Sequence, residues 1–248
     1  MRVLSIIPAR GGAKGIPLKN LVMLNQKPLL YYTVTASLKS KIINKTVVST
    51  DNKKIGKIAL NLGAEVVYRP KKLATDTTSL EPVIEHVLNY LNIHDGYNPE
   101  IIVILQNTSP LRTTKHIDEA LTLMKKQNYD SILSGFSIHT FLWKQSKKVI
   151  IPLDYDPKKR PNRQSMHEQL FENGAIFATK TNCFTKSNCR ISGKIGFYKM
   201  PLESSYNIDS YDDLRSIKKF FKILNHNWLL LMLFALMIHN LTINRKTT

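Results

Sequence analysis

The feature that most constrains the fold of this chain is a regular alternation of short apolar runs with segments whose apolar residues recur at helical spacing. Each run has the length and the residue types of a buried strand. Strands separated by helices of roughly 10–15 residues indicate βαβ units and a parallel sheet. We therefore predict an α/β fold with a Rossmann-like, doubly wound, mostly parallel sheet, whose first strands are residues 3–7, 46–50, 65–68, 101–105 and 131–136.

The helices between these runs have recognisable start signals. Pro28 fits the first turn of a helix that we expect to continue to about residue 38. Asp51 and Thr114 are the expected caps of two later helices, since both side chains can accept a hydrogen bond from a free N–H of the first turn. Helical spacing of apolar residues predicts a further helix over about residues 83–91.

The alternation stops between about residues 137 and 194. Aromatic residues, basic residues and prolines mix there, and only residues 148–151 and 175–179 resemble strands. We interpret this stretch as an inserted subdomain. The alternation resumes with a predicted strand at 195–200 and a predicted helix at about 210–224.

One domain is therefore expected over residues 1–225, followed by an apolar and basic tail over 226–248. Within the tail, residues 228–238 are continuously apolar, but this run is shorter than the ~20 residues that span a bilayer. Weak association of the tail with a membrane stays open. The apolar run 3–7 is too short for a secretory signal, which leads us to expect none.

The charge of the chain indicates an acidic partner. It has 36 Lys and Arg against 18 Asp and Glu, a formal net charge of +18, which suits nucleic acid, an anionic membrane or a small polyanion. The basic and aromatic residues do not interleave as in single-strand binders, so we expect no nucleic acid. Cys183 and Cys189 form no CxxC pair. We therefore expect a reducing, cytoplasmic location.

The strongest local motif is IPARGGAKGIPLKN at residues 7–20, directly after the first predicted strand. Open parallel sheets bind ligands at this edge, and glycines let the backbone approach a ligand closely. The motif is neither a Walker A loop nor the GxGxxG fingerprint. We predict a polyphosphate cradle built from Gly11, Gly12 and Gly15 with the cations Arg10, Lys14 and Lys19.

Together with later motifs, this loop resembles the signature of the sialic acid cytidylyltransferases, a family of CMP-sugar synthetases that also acts on KDO, legionaminic acid and pseudaminic acid. The resemblance runs from residue 2 to about residue 224, and its motifs follow in the family's order. They are STD at 49–51, RP at 69–70 with LATD at 73–76, LQNTSPLR at 105–112, RQ at 163–164 leading to NGAIF at 173–177, and NID at 207–209.

The resemblance implies a reaction in which the hydroxyl group of an acidic nine-carbon keto-sugar attacks the α-phosphate of CTP and diphosphate leaves. The implied cofactor is Mg²⁺ or Mn²⁺. Such a transfer depends mainly on positioning and on neutralising charge. By the resemblance, the catalytic residues are Arg10, Lys19 and Asp209. The implied nucleotide-binding residues are Arg10, Gly11, Gly12, Lys14, Gly15, Lys19, Asn20, Arg69, Asp76 and Ser79.

The resemblance also implies a homodimer in which the inserted subdomain reaches into the partner's site. Lys144 and Arg163 match positions where cations meet the carboxylate of the sugar, a pairing that is directional for a guanidinium. Arg112 is expected at a strand end facing the same crevice, with a surface charge as the alternative. The implied sugar-binding residues are Gln106, Lys144, Arg163, Asn173 and Phe177.

The metal site departs from the family's pattern, which is Asp-Ile-Asp on one extended strand. Here Asn207 takes the first position and only Asp209 brings a carboxylate. Mg²⁺ often needs one or two carboxylates besides phosphate. We expect Asp209 and Asn207 as metal ligands, and we expect Asn207→Asp to tighten Mg²⁺ binding. The alternative is that Asp209 only caps the helix that follows it.

Two other functions stay open at this point. One is the activation of the eight-carbon acid KDO. The other is a basic nucleic-acid or membrane-binding protein on a catalytically weakened version of the same fold, which the charge, Asn207 and the apolar tail would suit. Among the nine-carbon acids, the motifs leave N-acetylneuraminic, legionaminic and pseudaminic acid as possible substrates.

Overall fold

The computed structural model describes residues 1–12, 14–165 and 168–222, and in this part of the chain a seven-stranded sheet lies at the centre. Strand β10 is antiparallel to both of its neighbours, and the other six strands run in one direction. The predicted mostly parallel sheet is confirmed. In order across the sheet, the strands are β11 (Ile195–Lys199), β7 (Ser131–Ile138), β10 (Gln169–Lys180), β6 (Ile101–Ile104), β1 (Val3–Pro8), β4 (Lys45–Thr50) and β5 (Glu65–Tyr68).

Helices cover both faces of this sheet. Apolar side chains of α1 (Leu29–Leu38), α2 (Lys53–Asn61) and α4 (Thr114–Lys126) pack on one face. Those of α3 (Glu81–Asp95) and α5 (Thr181–Ser187) pack on the other. The Rossmann-like, doubly wound α/β fold is thereby confirmed. No helix of the described residues is long and apolar enough to cross a bilayer.

Two helix caps lie one residue away from their predicted positions. Asn52 caps α2 in place of Asp51: its side-chain oxygen accepts from the backbone N–H groups of Lys54 and Ile55. Thr113 caps α4 in place of Thr114, and it forms a capping box with His116. Neighbouring residues of similar chemistry competed for each cap, and tertiary contacts of the displaced residue decided between them. Thr114, for example, donates its hydroxyl to the Ala36 carbonyl.

The inserted stretch is shorter than the predicted 137–194. Strand β10 lies inside the central sheet between β6 and β7, because the apolar residues 175–178 are buried there. The chain leaves the sheet at the end of β7 and returns beside it, so the returning strand runs antiparallel. Between β7 and β10, the described residues 139–165 and 168 lie outside the sheet, and they include a hairpin of β8 (Trp143–Ser146) and β9 (Val149–Pro152).

A small apolar cluster joins the loop after β1 to the end of the described chain. Ile16 of the loop packs with Ile208 and with Leu214 and Ile217 of α6, as we label the helical residues 211–222. A short hairpin of β2 (Met23–Leu24) and β3 (Lys27–Pro28) adds Leu24 to the cluster. The loop and the segment before α6 are thus held together. The predicted tail 226–248 lies outside the described residues.

Candidate active site

A cavity of about 280 Å³ opens at the carboxyl edge of the parallel strands. The ends of β1, β4, β5 and β6 meet there, because each strand pairs with its neighbour up to this edge and hydrogen bonds such as Ala9 N–H to Ser49 O (2.9 Å) extend the pairing. Seven predicted site residues line the cavity: Arg10, Lys19, Asn20, Arg69, Asp76, Ser79 and Gln106.

Ion pairs hold the cations of the cavity in place. Arg10 Nη2 lies 2.7 Å and Lys14 Nζ lies 3.2 Å from the carboxylate of Asp76. Hydrogen bonds from Lys14 and Arg10 hold the pKa of Asp76 below its usual value. Lys19 Nζ lies 2.8 Å from Asp209 Oδ1. These carboxylates balance the cations, and an entering anion would compete with them for the same positive groups.

Arg69 has donors without partners at the wall of this cavity. Its side chain is largely buried, with 6% of the residue exposed, and its Nε and Nη1 have no hydrogen-bond partner. Burial lowers the pKa of Arg69, an effect that Asp51 opposes and Arg10 increases. A buried donor without a partner is costly and calls for an acceptor. Arg69 therefore indicates an anionic or carbonyl-rich ligand.

The glycine loop is shaped differently from the predicted cradle. The N–H of Gly11 donates to Asp51 Oδ1 at 2.8 Å, so it does not point to a ligand as expected. A Cβ at Gly11 would also collide with the side chain of Asn52. Gly12 has open space beside it, and with Lys14 it borders an open depression next to Arg10 and Asp76. Asp51, which we expected to cap α2, instead accepts a hydrogen bond from the loop and supports it.

The end of the loop touches the predicted metal ligand. A Cβ at Gly15 would collide with the backbone oxygen of Asp209, so this approach requires glycine. Asn20 is buried and donates its side-chain amide to the Arg10 carbonyl at 2.9 Å. Arg10, Lys19 and Asp209, which the sequence predicts to act together, are brought to one region by these contacts.

At the end of β6, beside the end of β1, Gln106 lines the cavity and is packed against a glycine turn. Gly174 has φ +67°, and a Cβ there would lie 3.2 Å from Gln106 Oε1. Arg112 does not face the crevice as predicted. It is buried beneath it and donates Nη1 to the carbonyls of Gln106 (3.0 Å) and Ala175 (3.1 Å).

Two predicted sugar-binding residues belong to the interior of the fold. Phe177 is 1% exposed and packs in the apolar core below the sheet, with the guanidinium of Arg190 over its ring. Asn173 is 2% exposed, and its side chain bonds to Ser134, Ser205 and the N–H of Ala175. Both side chains are committed to contacts inside the fold because β10 is a central strand, whereas the sequence predicted it as part of the inserted subdomain.

Asn207 is likewise committed to the fold. Its Oδ1 accepts from Ser109 Oγ at 2.6 Å, and its Nδ2 donates to the Asn173 carbonyl at 2.8 Å. The next residue, Ile208, donates its N–H to the Thr108 carbonyl. Asn207 therefore joins three segments, whereas the carboxylate of Asp209 is 68% exposed.

The described residues contain no cluster of three or more His, Cys, Asp or Glu side chains that could hold a metal ion. Asp209 nevertheless fits a magnesium site of the kind in which one carboxylate and the substrate's phosphates supply the protein and ligand oxygens. Its carboxylate is exposed beside Lys19 at the cavity. The alternative prediction, that Asp209 caps the following helix, does not hold. Ser210 is the cap: its Oγ accepts from the N–H of Asp213, and the carboxylate of Asp213 accepts from the N–H of Ser210.

The remaining predicted residues lie on the segment that leaves the sheet. Lys144 is exposed on β8, opposite Ile151 of β9, and Arg163 begins a short 3-10 turn, Arg163–Ser165. Lys144 does not line the cavity described above. Three further residues, Thr75, Asn107 and Thr108, line the cavity and had no predicted role. All three lie inside the LATD and LQNTSPLR motifs, and this position was the signal for them.

Comparisons with known proteins support the family resemblance seen in the sequence. A family model described as Cytidylyltransferase matches residues 4–232. The chain is 36% identical over 210 residues to N-acylneuraminate cytidylyltransferase A of Danio rerio, covering 83% of this chain and 47% of that protein. It is 35% identical over 221 residues to N-acylneuraminate cytidylyltransferase of Escherichia coli O18:K1:H7, covering 86% and 50%. The chain thus spans about half the length of the curated relatives it matches.

Solved structures share the fold. A CMP:2-keto-3-deoxy-manno-octonic acid synthetase complexed with CTP is similar with a TM-score of 0.65 and 14% identity, covering 90% of this chain and 99% of that one. A 4-diphosphocytidyl-2C-methyl-D-erythritol synthase from Anaerococcus prevotii is similar with a TM-score of 0.62 and 11% identity, covering 89% and 98%. At these identities the likeness concerns the fold alone.

Proposed function

Because this chain belongs to the cytidylyltransferase family, we propose that it transfers CMP from CTP to an acidic nine-carbon sugar, an N-acylneuraminate, with release of diphosphate. The observation that carries the proposal is the cavity at the carboxyl edge of the sheet, where Arg10, Lys19 and the unsatisfied donors of Arg69 face one space. The names of the relatives support the N-acylneuraminate as acceptor.

In this proposal the cavity works by positioning and by neutralising charge. The triphosphate enters beside Arg10, Lys14 and Lys19, which exchange their pairing with Asp76 and Asp209 for phosphate oxygens. The fixed charges then stabilise the negative charge that shifts to the leaving diphosphate. The hydroxyl group of the acceptor approaches from the side of Gln106, at the end of β6.

Mg²⁺ or Mn²⁺ is part of the proposal. Asp209 would hold the ion, and the bound ion would neutralise phosphate charge during the transfer. Before the triphosphate enters, Lys19 Nζ holds the carboxylate of Asp209 in place at 2.8 Å, and the exchange of Lys19 to phosphate would leave that carboxylate to the ion. Asn207 would support this site indirectly, because its hydrogen bonds to Ser109 and Asn173 hold the segment that leads to Asp209 in place.

The test is to supply the protein with each nucleoside triphosphate and a panel of acids. We expect CMP-sugar and diphosphate from CTP with N-acetylneuraminic, legionaminic or pseudaminic acid, and none without Mg²⁺ or Mn²⁺. KDO belongs in the panel because the eight-carbon acid is the alternative acceptor. Equal use of ATP or GTP would contradict the assignment to CTP, and a product from KDO alone would replace the proposed acceptor.

A homodimer is the second part of the proposal, built through the segment 139–168 with Lys144 and Arg163 reaching the partner's site. Its support is the exposed apolar surface of the hairpin, where Val149, Ile150 and Ile151 are 61%, 60% and 43% exposed. Apolar patches of this kind mark contact surfaces.

Sedimentation would test the dimer. We expect a dimer for the native chain and a monomer for Val149→Lys with Ile150→Lys, since two lysines would place charge inside the contact. Lys57→Glu on α2 is a control that should not change the assembly. A fully active native monomer at nanomolar concentration would contradict the shared site.

A cytoplasmic location also belongs to the proposal, supported by two free thiols, Cys183 and Cys189.

A further inference from the structure

Arg112 is a buried cation without an anionic partner. Only 2% of the residue is exposed, and its Nε and Nη2 have no hydrogen-bond partner. Within residues 1–12, 14–165 and 168–222, no carboxylate forms an ion pair with it. Burial lowers the pKa of Arg112 to about 9, so the side chain still carries its proton at neutral pH.

The one bonded nitrogen of Arg112 ties together two parts of the cavity wall. Nη1 donates to the carbonyl of Gln106, just after β6, and to that of Ala175 in β10. The register of β10 shifts between Glu172 and Phe177, which leaves carbonyl groups there without regular strand partners. Arg112 therefore fixes Gln106 against the Gly174 turn from behind.

Holding two carbonyls would not by itself need a charge. A neutral amide could donate to the same oxygens at a lower cost of burial than a guanidinium, whose desolvation is expensive when no anion compensates it. The charge lies directly behind Gln106, whose side chain lines the cavity. In a protein interior, where water does not screen it, such a charge acts over several ångströms.

We propose that Arg112 is a positioning residue that sets specificity for a negatively charged acceptor: it fixes the Gln106 side of the cavity and lends it positive potential without touching the ligand. The inference rests on the proposed function, because it concerns the acceptor of that reaction. It assigns Arg112 a role distinct from direct pairing with the carboxylate.

The test compares Arg112→Gln with Arg112→Lys, using N-acetylneuraminic acid and its methyl ester as acceptors. In Arg112→Gln we expect KM for the acid to rise about tenfold, KM for CTP to stay within about twofold, and the preference for acid over ester to fall by a similar factor. Arg112→Lys retains the charge but changes the contacts to the two carbonyls. We expect it to keep the preference for the acid while kcat falls.

Lys180→Gln is the matched control, since Lys180 is a cation at the opposite end of β10, paired with Asp130. It should leave both KM values unchanged. If KM for acid, ester and CTP shifts equally in Arg112→Gln, Arg112 only supports the fold and the inference is overturned. If Arg112→Gln does not fold, loss of the acid preference in Arg112→Lys overturns it. A wild-type protein without product from CTP and the acid would instead reject the proposed function.

Discussion

Asn207 lies where three segments of the chain meet, and both polar atoms of its side chain are used there. It accepts from Ser109 and donates to the carbonyl of Asn173. A carboxylate of the same shape would keep the first bond, but it would place an oxygen against the Asn173 carbonyl. The identity of this residue therefore affects the fold first, whereas the carboxylate of Asp209, two residues later, is exposed beside Lys19.

Asn207→Asp is accordingly expected to destabilise the protein by ~1–3 kcal/mol, the usual cost of leaving a buried polar group unsatisfied. It should not tighten Mg²⁺ binding, in contrast to the expectation from the sequence. Thermal unfolding and Mn²⁺ titration followed by electron paramagnetic resonance measure the two effects. Asp209→Asn is the matched variant, expected to retain stability and to lose metal binding. Tighter Mn²⁺ binding by a stable Asn207→Asp protein would show that residue 207 is a ligand.

Arg10 and Lys19 make the other prediction at this scale. If the proposed reaction holds, Arg10→Ala and Lys19→Ala should each lower kcat/KM by at least ~100-fold, because each would remove a fixed charge that balances the transferring phosphate. Lys125→Ala, an exposed lysine in the last turn of α4, is the control and should match the native enzyme. Steady-state rates measured at varied CTP concentration would show the loss of kcat/KM. Near-normal kinetics in both site variants would contradict a role of Arg10 and Lys19 in binding the polyphosphate.

Among the elements of the fold, the irregular part of β10 shapes the wall of the cavity at Gln106. The shift of register between Glu172 and Phe177 allows a turn at Gly174 with positive φ. Only glycine adopts this conformation without strain, and here it also leaves room for Gln106. A single backbone position thus links strand geometry to the cavity.

Gly174→Ala should therefore have two effects, a loss of roughly 1 kcal/mol or more of stability and a rise in KM for the acid. Gly96→Ala is the matched control: Gly96 also has positive φ, at +59°, but a Cβ there would have no atom within 4 Å. We expect both variants to lower the melting temperature and only Gly174→Ala to change KM. A similar KM in the two variants would show that the turn does not position Gln106.

Across the whole molecule, several carboxyl groups pair with cations or accept hydrogen bonds from backbone N–H groups, and these contacts lower their pKa values. Lys199 and Ser137 lower the pKa of Glu168, and the N–H of Lys194 together with Lys180 lowers that of Asp130. Glu81, Glu100 and Asp213 have lowered pKa values through comparable contacts. The net charge of +18 means that protonating these groups adds to the mutual repulsion of the cations.

The sign of the pH dependence follows from these lowered values. A carboxyl group with a lower pKa in the folded than in the unfolded state adds stability above its unfolded pKa, roughly 3.9–4.3. This stability is lost as the pH falls through the folded pKa. We expect the melting temperature to fall steeply below about pH 4. Scanning calorimetry from neutral to acidic pH checks this, and a constant melting temperature over that range would contradict it.

The sequence alone determined the alternation of strands and helices and the edge at which Arg10, Lys19 and Arg69 gather. These features depend on local apolar spacing and on motifs that directly follow strands, so they can be predicted without knowing which distant residues meet. The order of the motifs along the chain also indicated the family, which the comparisons show.

Only the tertiary structure decided what depends on distant contacts. Asp51 and Asn52 are equally good caps, and the contact of Asp51 with Gly11, 40 residues away, left the cap to Asn52. The sequence predicted Phe177 and Asn173 in the sugar pocket, but β10 is a central strand of the sheet, and this position buries both residues. The antiparallel return of β10 follows from where the chain re-enters the sheet, and pairing between distant segments is not encoded in the spacing of either segment.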